Sequence, residues 1–508
     1  MLTKIASAAI VGLEAKLVTI EVDIQSQGLP HFIIVGLPDK SVDESKERVK
    51  SAIKNSGFDF PNKKITVNMA PADISKEGAR YDLPIALGIL AASGQIPVTL
   101  ENKIFYGELS LDGSIKPTTG SVLISILGRE LNYIDIYSPK DNAKEAALID
   151  GCTVRACEKL SDIVMHFSEN FPLTIQQHSI NLVKTDVQSL NDMSDVQGQH
   201  QVKRALEISA AGSHNIILIG SPGAGKTMLA RTFPTILPEI TTDEAIELTK
   251  LYSISGNLND ASPIISSRPF RHPHHTGSVA SIIGGGTNPK PGEISLSHRG
   301  VLFMDEFLEF PKIVLESLRQ PLEDGEITVS RTAATVTFPA KFILLAACNP
   351  CPCGYAYSTD RGKQCTCSAS SLTRYKKKLS GPILDRIDLQ VKVRAVPVNE
   401  LAGDYQSENS SSIKQRVQNA RNIQYDRLKN TTMRSNAEMT SNDVKKYCML
   451  QNDAHELLKQ AVQRMHLSAR SYNRTIKVAR TIADLSSEEY ITKLHIAESL
   501  QYRFNDMI

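Results

Sequence analysis

The sequence lacks any long uninterrupted apolar run, and it lacks an excess of charge of one sign. No run reaches the roughly 18 residues that a membrane-spanning helix needs, so we expect no membrane span. Lys and Arg number 57 against 55 Asp and Glu, which leaves a net charge of +2. The chain as a whole therefore has no general attraction to polyanions, and any nucleic-acid binding must come from local basic patches.

The chain also lacks a recognisable targeting segment and any low-complexity tract. Its first residues, MLTKIASAAIVGLEAKLVTIEV, contain Glu14 and Lys16 where a secretory signal has an unbroken apolar core. We therefore expect a cytoplasmic protein, in which clustered cysteines more often bind metal than form disulfides. At 508 residues the chain is too long for one core, so we expect two to four domains of roughly 100–200 residues each.

The first part of the chain has the pattern of a mixed α/β domain. LVTIEVDI at residues 17–24 alternates apolar and polar side chains, which predicts a half-buried strand, and HFIIVGL and KITVNMA predict two more. A helix is expected to begin at Ser41, with Glu44 completing a capping box and Gly57 ending it. A second helix is expected to be capped by Asp82.

Two segments of this domain resemble the active-site segments of the Lon-type proteases, which use a Ser–Lys dyad. They are KEGARYDLPIAL (76–87) and GELSLDGSIKPTTG (107–120). The serine position falls on Arg80, and the lysine position falls on or beside Val122. An arginine cannot be the nucleophile and a valine cannot be its base. We therefore predict that residues 1–165 form an inactive Lon-protease-like α+β domain.

A phosphate-binding loop follows a polar stretch, residues 166–193, that is interpreted as a linker. The apolar run Asn215–Ile219 predicts a buried strand, GSPGAGKT comes next, and a helix pattern begins at once. In such loops the backbone N–H groups surround the phosphates of ATP, Lys226 reaches the β- and γ-phosphates, and Thr227 ligates Mg²⁺. The loop consists of Gly220, Ser221, Pro222, Gly223, Ala224, Gly225, Lys226 and Thr227.

An apolar strand ending in two acids, GVLFMDE at residues 300–306, supplies the second half of an ATPase site. Asp305 is placed to hold Mg²⁺ through its water shell, and Glu306 is placed to polarise the attacking water. Because a phosphate-binding loop lies about eighty residues upstream, the acid pair predicts ATP hydrolysis.

The surrounding segments resemble the parts of AAA+ ATPases. DVQGQ resembles the segment beside the adenine, so Val196 and Gln197 are expected to line the base. FILLAACNP predicts a buried strand that delivers Asn349, which matches sensor 1. SGPILDRIDL resembles the segment with the arginine finger, here Arg386. Because such an arginine acts on the ATP of a neighbouring subunit, the resemblance implies a ring.

The end of the chain resembles the helical lid of the same superfamily. LSARSYNRTIKVARTIADL predicts a helix with Ile476, Ala479 and Ala483 on one face. Arg470 falls at the position of sensor 2, and Arg474 is the alternative. The predicted boundaries are an AAA+ core at residues 194–396, with a Cys-rich insert at 351–367, and a lid domain at residues 397–508.

Two insertions resemble those of the magnesium-chelatase and minichromosome-maintenance branch. IIGGGTNPKPGEISLSHRG (282–300) resembles its helix-2 insert, and GEITVSRTAATVTFPAKF (325–342) predicts the β-hairpin that precedes sensor 1. In ring helicases of this branch both loops point into the pore. The resemblance implies that Lys290 and Arg331 contact DNA phosphates without reading sequence.

The order of these parts, with RPFRHPHHTGS and NPCPCG, resembles the YifB/ComM family of magnesium-chelatase-like AAA+ ATPases over essentially the full length. The resemblance implies a homo-hexameric ATPase that binds branched or single-stranded DNA, and a helicase that drives branch migration in recombination and natural transformation. The alternative is a chelatase-type ATPase that remodels a protein partner. The true chelatase motor subunit does not carry the Lon-like domain, which favours the first reading.

Three polar clusters leave alternatives open. Cys351, Cys353, Cys365 and Cys367 form C-x-C-x₁₁-C-x-C, which suits a structural Zn²⁺ site, although the usual spacing is C-x-x-C and free thiols or a redox switch also fit. The histidines of RHPHH match no standard metal spacing, so a structural or DNA-proximal role is favoured over metal binding. RYKKK (374–378) is either a solvated face or a DNA-facing one.

Overall fold

The described residues of the computed structural model fall into two compact units. One unit is Met1–Val183 with Thr242–Ser266, and the other is Lys184–Thr241 with Ser267–Ile508. Within the described ranges every helix is too short or too polar to cross a lipid bilayer. The described ranges are 2–25, 29–97, 100–169, 171–180, 182, 191–258, 262–286, 289–330, 335–356, 364–378, 381–394 and 407–503.

The chain up to residue 183 alternates strands and helices. Its elements are β1 (Leu2–Val11), β2 (Glu14–Gln25), β3 (His31–Val35), α1 (Lys40–Asn55), β4 (Lys64–Ala70), α2 (Asp82–Ala92), β5 (Lys103–Phe105), β6 (Glu108–Leu109), β7 (Ile115–Lys116), α3 (Ser121–Glu130), β8 (Asp135–Pro139), α4 (Lys140–Ala146), β9 (Thr153–Cys157), α5 (Leu160–Glu169) and β10 (Thr174–Gln176).

Eight of these strands form one mixed sheet in the order β10-β9-β8-β5-β1-β2-β4-β3. The predicted alternation along β2 is confirmed, because Val18, Ile20 and Val22 are fully buried while the side chains between them are half-exposed. The strands predicted from HFIIVGL and KITVNMA are β3 and β4, and they pair in parallel. Helix α2 is buried along its whole length, which explains why its sequence is apolar on every side.

Two predicted helix caps of this unit are wrong. Helix α1 begins one residue before Ser41, and its N-cap is Asp39, whose Oδ1 accepts from the Val42 amide at 2.7 Å. Asp82 begins α2 but makes no cap; its buried carboxylate accepts from Arg48 Nε at 2.7 Å. Burial raises the pKa of Asp82 to about 6, against the opposing effect of Arg48. At α1 an earlier residue, Asp39, provides the cap that was predicted for Ser41. At α2 the Asp82 carboxylate binds Arg48, which is remote in sequence, instead of capping the helix.

The stretch expected as a linker, residues 166–193, is in part regular structure. Helix α5 continues to Glu169, and β10 pairs antiparallel with β9 at the edge of the eight-stranded sheet. Leu173 is buried in the core beneath that edge. Thr174 and Ile175 of this edge strand are both exposed, and composition alone does not separate such a strand from a linker.

The rest of the chain supplies the second unit and one helix of the first. Its elements are α6 (His200–Gly212), β11 (Ile216–Gly220), α7 (Lys226–Thr232), α8 (Thr242–Ser255), β12 (Phe270–Arg271), α9 (Val279–Ile283), β13 (Gly284–Gly285), β14 (Lys290–Pro291), α10 (Glu293–Leu296), β15 (Val301–Met304), α11 (Lys312–Ser317), α12 (Arg319–Asp324), β16 (Glu326–Ser330), β17 (Thr335–Pro339), β18 (Ile343–Cys348), α13 (Ala369–Lys378), α14 (Gly381–Leu384), β19 (Leu389–Val393), α15 (Ser410–Leu428), α16 (Ser441–Tyr447), α17 (Asn452–Met465), α18 (Ala469–Leu485) and α19 (Lys493–Gln501).

Helix α8 belongs to the first unit although it lies between α7 and β12 in sequence. Its Ile246 and Ile254 pack against the α3 core at Val122. Ser253 Oγ donates to the buried Glu145 carboxylate at 2.5 Å and accepts from the Gly120 amide at 2.8 Å. The sequence places this helix within the expected AAA+ core range, and only the contacts show which unit it packs with.

The second unit is built on a five-stranded parallel sheet in the order β12-β15-β18-β11-β19. Because all five strands run the same way, their carboxyl ends meet at one edge, where α/β proteins bind ligands. Helices α15 to α19 complete the unit, and the predicted apolar face of α18 is confirmed by the burial of Ile476, Ala479 and Ala483. The expected fold class, an α/β AAA+ module with a helical C-terminal region, is confirmed.

Both predicted insertions are present. A short antiparallel pair, β13 with β14, lies between α9 and α10 and corresponds to the helix-2 insert. Strands β16 and β17 pair antiparallel from Glu326 opposite Pro339 to Ser330 opposite Thr335, which confirms the hairpin before β18.

Candidate nucleotide site

The phosphate-binding loop joins β11 to α7 and places Lys226 at the edge where the parallel strands have their carboxyl ends. Gly225 caps α7 at φ +86°, a conformation that favours glycine. Lys226 Nζ donates to the Gly220 carbonyl at 2.7 Å, to the Ser221 carbonyl at 3.0 Å and to Asn349 Oδ1 at 3.1 Å. Burial lowers the pKa of Lys226. The predicted loop lysine and the predicted sensor 1 asparagine are therefore in direct contact.

The predicted magnesium ligands also meet. Thr227 Oγ1 donates to Asp305 Oδ2 at 2.8 Å, and Asp305 Oδ1 accepts from the Glu306 amide at 2.9 Å. A hydroxyl beside a carboxylate at the end of a strand is the donor set that P-loop ATPases offer to Mg²⁺. The residues present therefore fit a magnesium ion, which Thr227 and Asp305 would hold.

Glu306 has an unusual backbone and a partner that the sequence did not suggest. Its φ is +50°, and non-glycine residues in this region are often held there for function. His275 Nδ1 lies 3.3 Å from Glu306 Oε2, and the His275 ring is 4.3 Å from that of His274. The RHPHH segment follows β12, the strand beside β15, so its place could have been found only with the strand order known. Among the described residues these histidines form no metal-ligating group.

The residues predicted to line the adenine include an unpaired hydrogen-bond acceptor. Val196 is buried in the core of the second unit. Gln197 Oε1 is shielded from solvent and has no hydrogen-bond partner in the described part of the chain. A buried amide oxygen without a donor is costly, and an exocyclic amino group such as that of adenine would satisfy it.

Two predicted ATP-sensing arginines converge on one carboxylate. Arg470 Nη2 donates to Glu323 Oε1 at 2.6 Å, and the nearly buried Arg386 forms an ion pair with Glu323 Oε2. Its hydrogen bond to Arg386 lowers the pKa of Glu323. Glu323 lies on α12, and nothing in its local sequence indicates this contact.

The alternative sensor, Arg474, has a different partner. Its Nη1 donates to the buried Asp388 Oδ1 at 2.8 Å. Burial acts to raise the pKa of Asp388, but Arg474 and His214 outweigh it, so the net shift is downward. Arg474 therefore compensates an internal charge, whereas Arg470 is half-exposed.

Of the two residues predicted to contact DNA, the structure describes Lys290 but not Arg331. Lys290 is exposed on β14. Arg331 lies outside the described residues. The RYKKK segment ends α13, where Tyr375 is buried and Lys378 Nζ donates to the Leu308 carbonyl at 3.1 Å, so this segment is not wholly a solvated face.

The four clustered cysteines come together as the spacing suggested. Their sulfur atoms all lie within 4.8 Å of one another, which makes them the one potential metal-ligating group among the described residues.

The two positions of the Lon dyad hold side chains without peptidase chemistry. Val122 is fully buried, and its amide donates to Glu145 Oε1 at 2.9 Å. Burial lowers the pKa of the Arg80 guanidinium. The loss of peptidase activity stays a prediction drawn from these two residues.

Comparisons with known proteins cover nearly the whole chain. The family model described as magnesium chelatase, subunit ChlI matches residues 192–401, that described as subunit ChlI of Mg-chelatase matches residues 20–142, and that described as the subunit ChlI C-terminal region matches residues 407–503.

Full-length relatives are found among bacterial proteins. The chain is 43% identical to the competence protein ComM of Haemophilus influenzae, over 98% of this chain and 96% of that protein. It is 40% identical to the protein YifB of Escherichia coli, over 100% of this chain and 98% of that protein. The magnesium-chelatase 38 kDa subunit of Rhodobacter capsulatus is 26% identical over 31% of this chain and 49% of that subunit.

The strand order, the loop after β11 and the acids after β15 define an ATPase module of the AAA+ class. Within that class, the full-length relatives and the family models place the chain more narrowly. The chain belongs to the YifB/ComM family of magnesium-chelatase-like proteins.

Proposed function

We propose that this protein is an ATP-hydrolysing motor that acts on DNA as a homo-hexamer. It moves branched or single-stranded DNA without reading its sequence, and it drives branch migration during recombination or natural transformation. The observation that carries the proposal is the full-length similarity to a competence protein, and contacts among the residues predicted to bind ATP support it. Lys226, Thr227, Asp305 and Asn349 already contact one another in pairs.

The ATP chemistry assigns one task to each side chain. Lys226 exchanges its two loop carbonyls for the β- and γ-phosphate oxygens, which are better partners for an ammonium. Thr227 and Asp305 would hold Mg²⁺, which would supply positive charge beside the phosphates. Glu306 takes the proton of the attacking water, and Asn349 orients that water.

In the proposed hexamer, the two arginines that pair with Glu323 act on the ATP bound by a neighbouring subunit. A γ-phosphate carries more charge than a carboxylate, so it competes with Glu323 for Arg386 and Arg470. Arg386 would then act as the arginine finger and Arg470 as sensor 2. In this account Glu323 holds both arginines in place until the neighbour binds ATP.

DNA contact is assigned to the two insertions. Lys290 is exposed on its short strand, and Arg331 follows the last residue of β16 in the sequence. Lysine and arginine on such loops bind phosphates of any sequence, so the contacts would hold the DNA without specifying a site.

A second candidate is a chelatase-type ATPase that remodels a protein partner. The names of all three matching family models favour it. Against it, the Rhodobacter capsulatus chelatase subunit aligns with 31% of this chain, whereas the competence protein aligns with 98%. DNA dependence of the ATPase separates the two candidates.

The test is ATP turnover by the full chain with no DNA, duplex DNA, single-stranded DNA, a fork and a four-way junction. We expect turnover that rises with single-stranded or branched DNA and that vanishes in the Glu306→Gln variant. If none of the DNAs changes the rate of turnover, the protein is an ATPase, but the proposal that it is a DNA motor is wrong. Absence of turnover under every condition would remove both.

A further inference from the structure

The four cysteine sulfurs of the Cys-rich insert have the spacing of a tetrahedral metal site. Cys351 Sγ lies 3.3 Å from Cys353 Sγ and 3.7 Å from Cys365 Sγ, and Cys353 Sγ lies 3.6 Å from Cys365 Sγ. Cys367 completes the group, with all four sulfurs within 4.8 Å. Four thiolates around Zn²⁺ at about 2.3 Å would be separated by about 3.8 Å. These separations are too long for a disulfide bond, which needs about 2.05 Å.

The insert also provides the backbone hydrogen bonds that a metal-bound thiolate needs. The Tyr355 and Thr366 amides donate to the Cys353 sulfur. Amide donors of this kind stabilise the charge on a ligating thiolate and hold its orientation. Cys351 is fully buried, so the cluster is anchored on one side in the protein and open on the other.

The turn that carries the first two cysteines packs on the phosphate-binding loop. The Gly354 amide donates to the Cys351 carbonyl at 2.9 Å, which closes the turn. A Cβ on Gly354 would lie 2.5 Å from Pro222 Cδ, and its φ is +87°, so only glycine fits there without displacement. Pro222 is the third residue of the phosphate-binding loop.

The helix that follows the insert contacts Asn349, the predicted sensor 1 residue. Tyr375, on the helix that follows Cys367, donates from its hydroxyl to the Asn349 carbonyl at 3.1 Å. Asn349 Oδ1 in turn accepts from Lys226 Nζ. Two contacts therefore join this part of the chain to the predicted ATP site. Gly354 packs on Pro222 of the phosphate-binding loop, and Tyr375 binds the Asn349 carbonyl.

We propose that Cys351, Cys353, Cys365 and Cys367 bind one Zn²⁺, and that the metal-held turn fixes the phosphate-binding loop through Gly354 and Pro222. The zinc site stands on the cysteine geometry alone, while its effect on nucleotide binding rests on the proposed ATPase function. Without metal the four cysteines would no longer be held together, so the turn that carries Cys351 and Cys353 would be held less firmly. Loss of zinc should therefore weaken nucleotide binding before it unfolds the unit.

The first experiment measures zinc in the purified full-length protein by mass spectrometry. We expect one zinc per chain in the wild type and in Cys152→Ser, the matched control outside the cluster, and almost none in the Cys365→Ser, Cys367→Ser double variant. A wild type that contains no zinc, takes none up when it is added, and has Cys365 and Cys367 freely alkylated would overturn the site. Removal of zinc by a chelator and its return provide the same comparison without a substitution.

The second experiment measures binding of a fluorescent ATP analogue, with circular dichroism to confirm folding. Gly354→Ala keeps all four cysteines and disturbs the turn backbone at φ +87° together with its packing on Pro222. We expect it to keep its zinc and to bind nucleotide roughly tenfold to a hundredfold more weakly. Unchanged nucleotide affinity in both Gly354→Ala and the zinc-free protein would overturn the link between the turn and the loop. A wild type that binds zinc but no nucleotide would instead count against the proposed function.

Discussion

At the scale of single residues, the side chains predicted to bind ATP and Mg²⁺ contact one another in pairs. Lys226 contacts Asn349, and Thr227 contacts Asp305. The fold therefore brings together side chains that follow three different strands, β11, β15 and β18. The sequence predicted each of these residues and its task, because the motifs lie at strand ends whose order is set by the fold. It did not predict the contact of His275 with Glu306 or the ion pairs of Glu323, since these partners are remote in sequence.

Glu306→Gln should separate ATP binding from hydrolysis. The amide keeps the shape of the side chain but cannot accept the proton of the attacking water, so turnover should fall by about 10²–10⁴. ATP affinity and assembly should not change. The measurement is steady-state phosphate release alongside nucleotide binding. Glu309→Gln, three residues on and exposed, is the matched control and should behave as the wild type; normal turnover in Glu306→Gln would remove Glu306 from its role.

At the scale of elements, the sequence predicted the strands and the long helices better than their ends and partners. The alternation of β2, the buried run of β11 and the apolar face of α18 are decided by local periodicity, and all three are confirmed. The cap of α1 and the end of the first unit depend on competing partners, as Asp39 and β10 show. The packing of α8 with the first unit depends on contacts with α3, far away in sequence.

Two arginines one helical turn apart on α18 should give opposite results. Arg474→Ala leaves the buried Asp388 without its main partner and should cost about 3–5 kcal/mol of stability. Arg470→Ala removes a half-exposed pair and should leave the melting temperature nearly unchanged while lowering turnover. Thermal unfolding and ATP turnover, measured on both variants, check this. A stable Arg474→Ala variant together with normal turnover in Arg470→Ala would contradict the structural role of Arg474 and the sensor role of Arg470.

The same buried carboxylate predicts a pH dependence. The pKa of Asp388 is lowered in the folded state, so the stability that it contributes is present above its unfolded pKa of about 4 and is lost as the pH falls below that value. Acid unfolding curves of the wild type and of Asp388→Asn should therefore converge at low pH. Parallel curves down to the acid limit would contradict the prediction.

The two insertions should contribute to DNA binding in a salt-dependent way. Replacing Lys290 or Arg331 by Ala should weaken binding equally for all sequences and reduce the slope of log affinity against log salt by about 1. Lys312→Ala, on the exposed face of α11, is the matched control and should leave the slope unchanged. Fluorescence anisotropy with a labelled fork measures all three; intact binding after both replacements would refute the assignment of these loops.

At the scale of the whole molecule, a ring is required only if Arg386 acts on a neighbour. Arg386→Ala and Lys226→Ala should each lose turnover by about 10³ or more. Mixed before assembly in equal amounts, they should recover activity, because roughly a quarter of the interfaces would combine an intact ATP site with an intact finger. Phosphate release from the mixture measures this, and no recovery in a mixture shown to co-assemble would mean that Arg386 acts within its own subunit.

The central claim is that ATP hydrolysis at this site moves DNA branches. The most direct measurement is strand exchange on a synthetic four-way junction whose arms can migrate in one direction to completion. The account predicts that the wild type with ATP resolves the junction into its two duplex products, and that neither the wild type without ATP nor Glu306→Gln does so. Vigorous ATP turnover with an unmoved junction would contradict the claim and would favour a protein partner as the substrate of the motor.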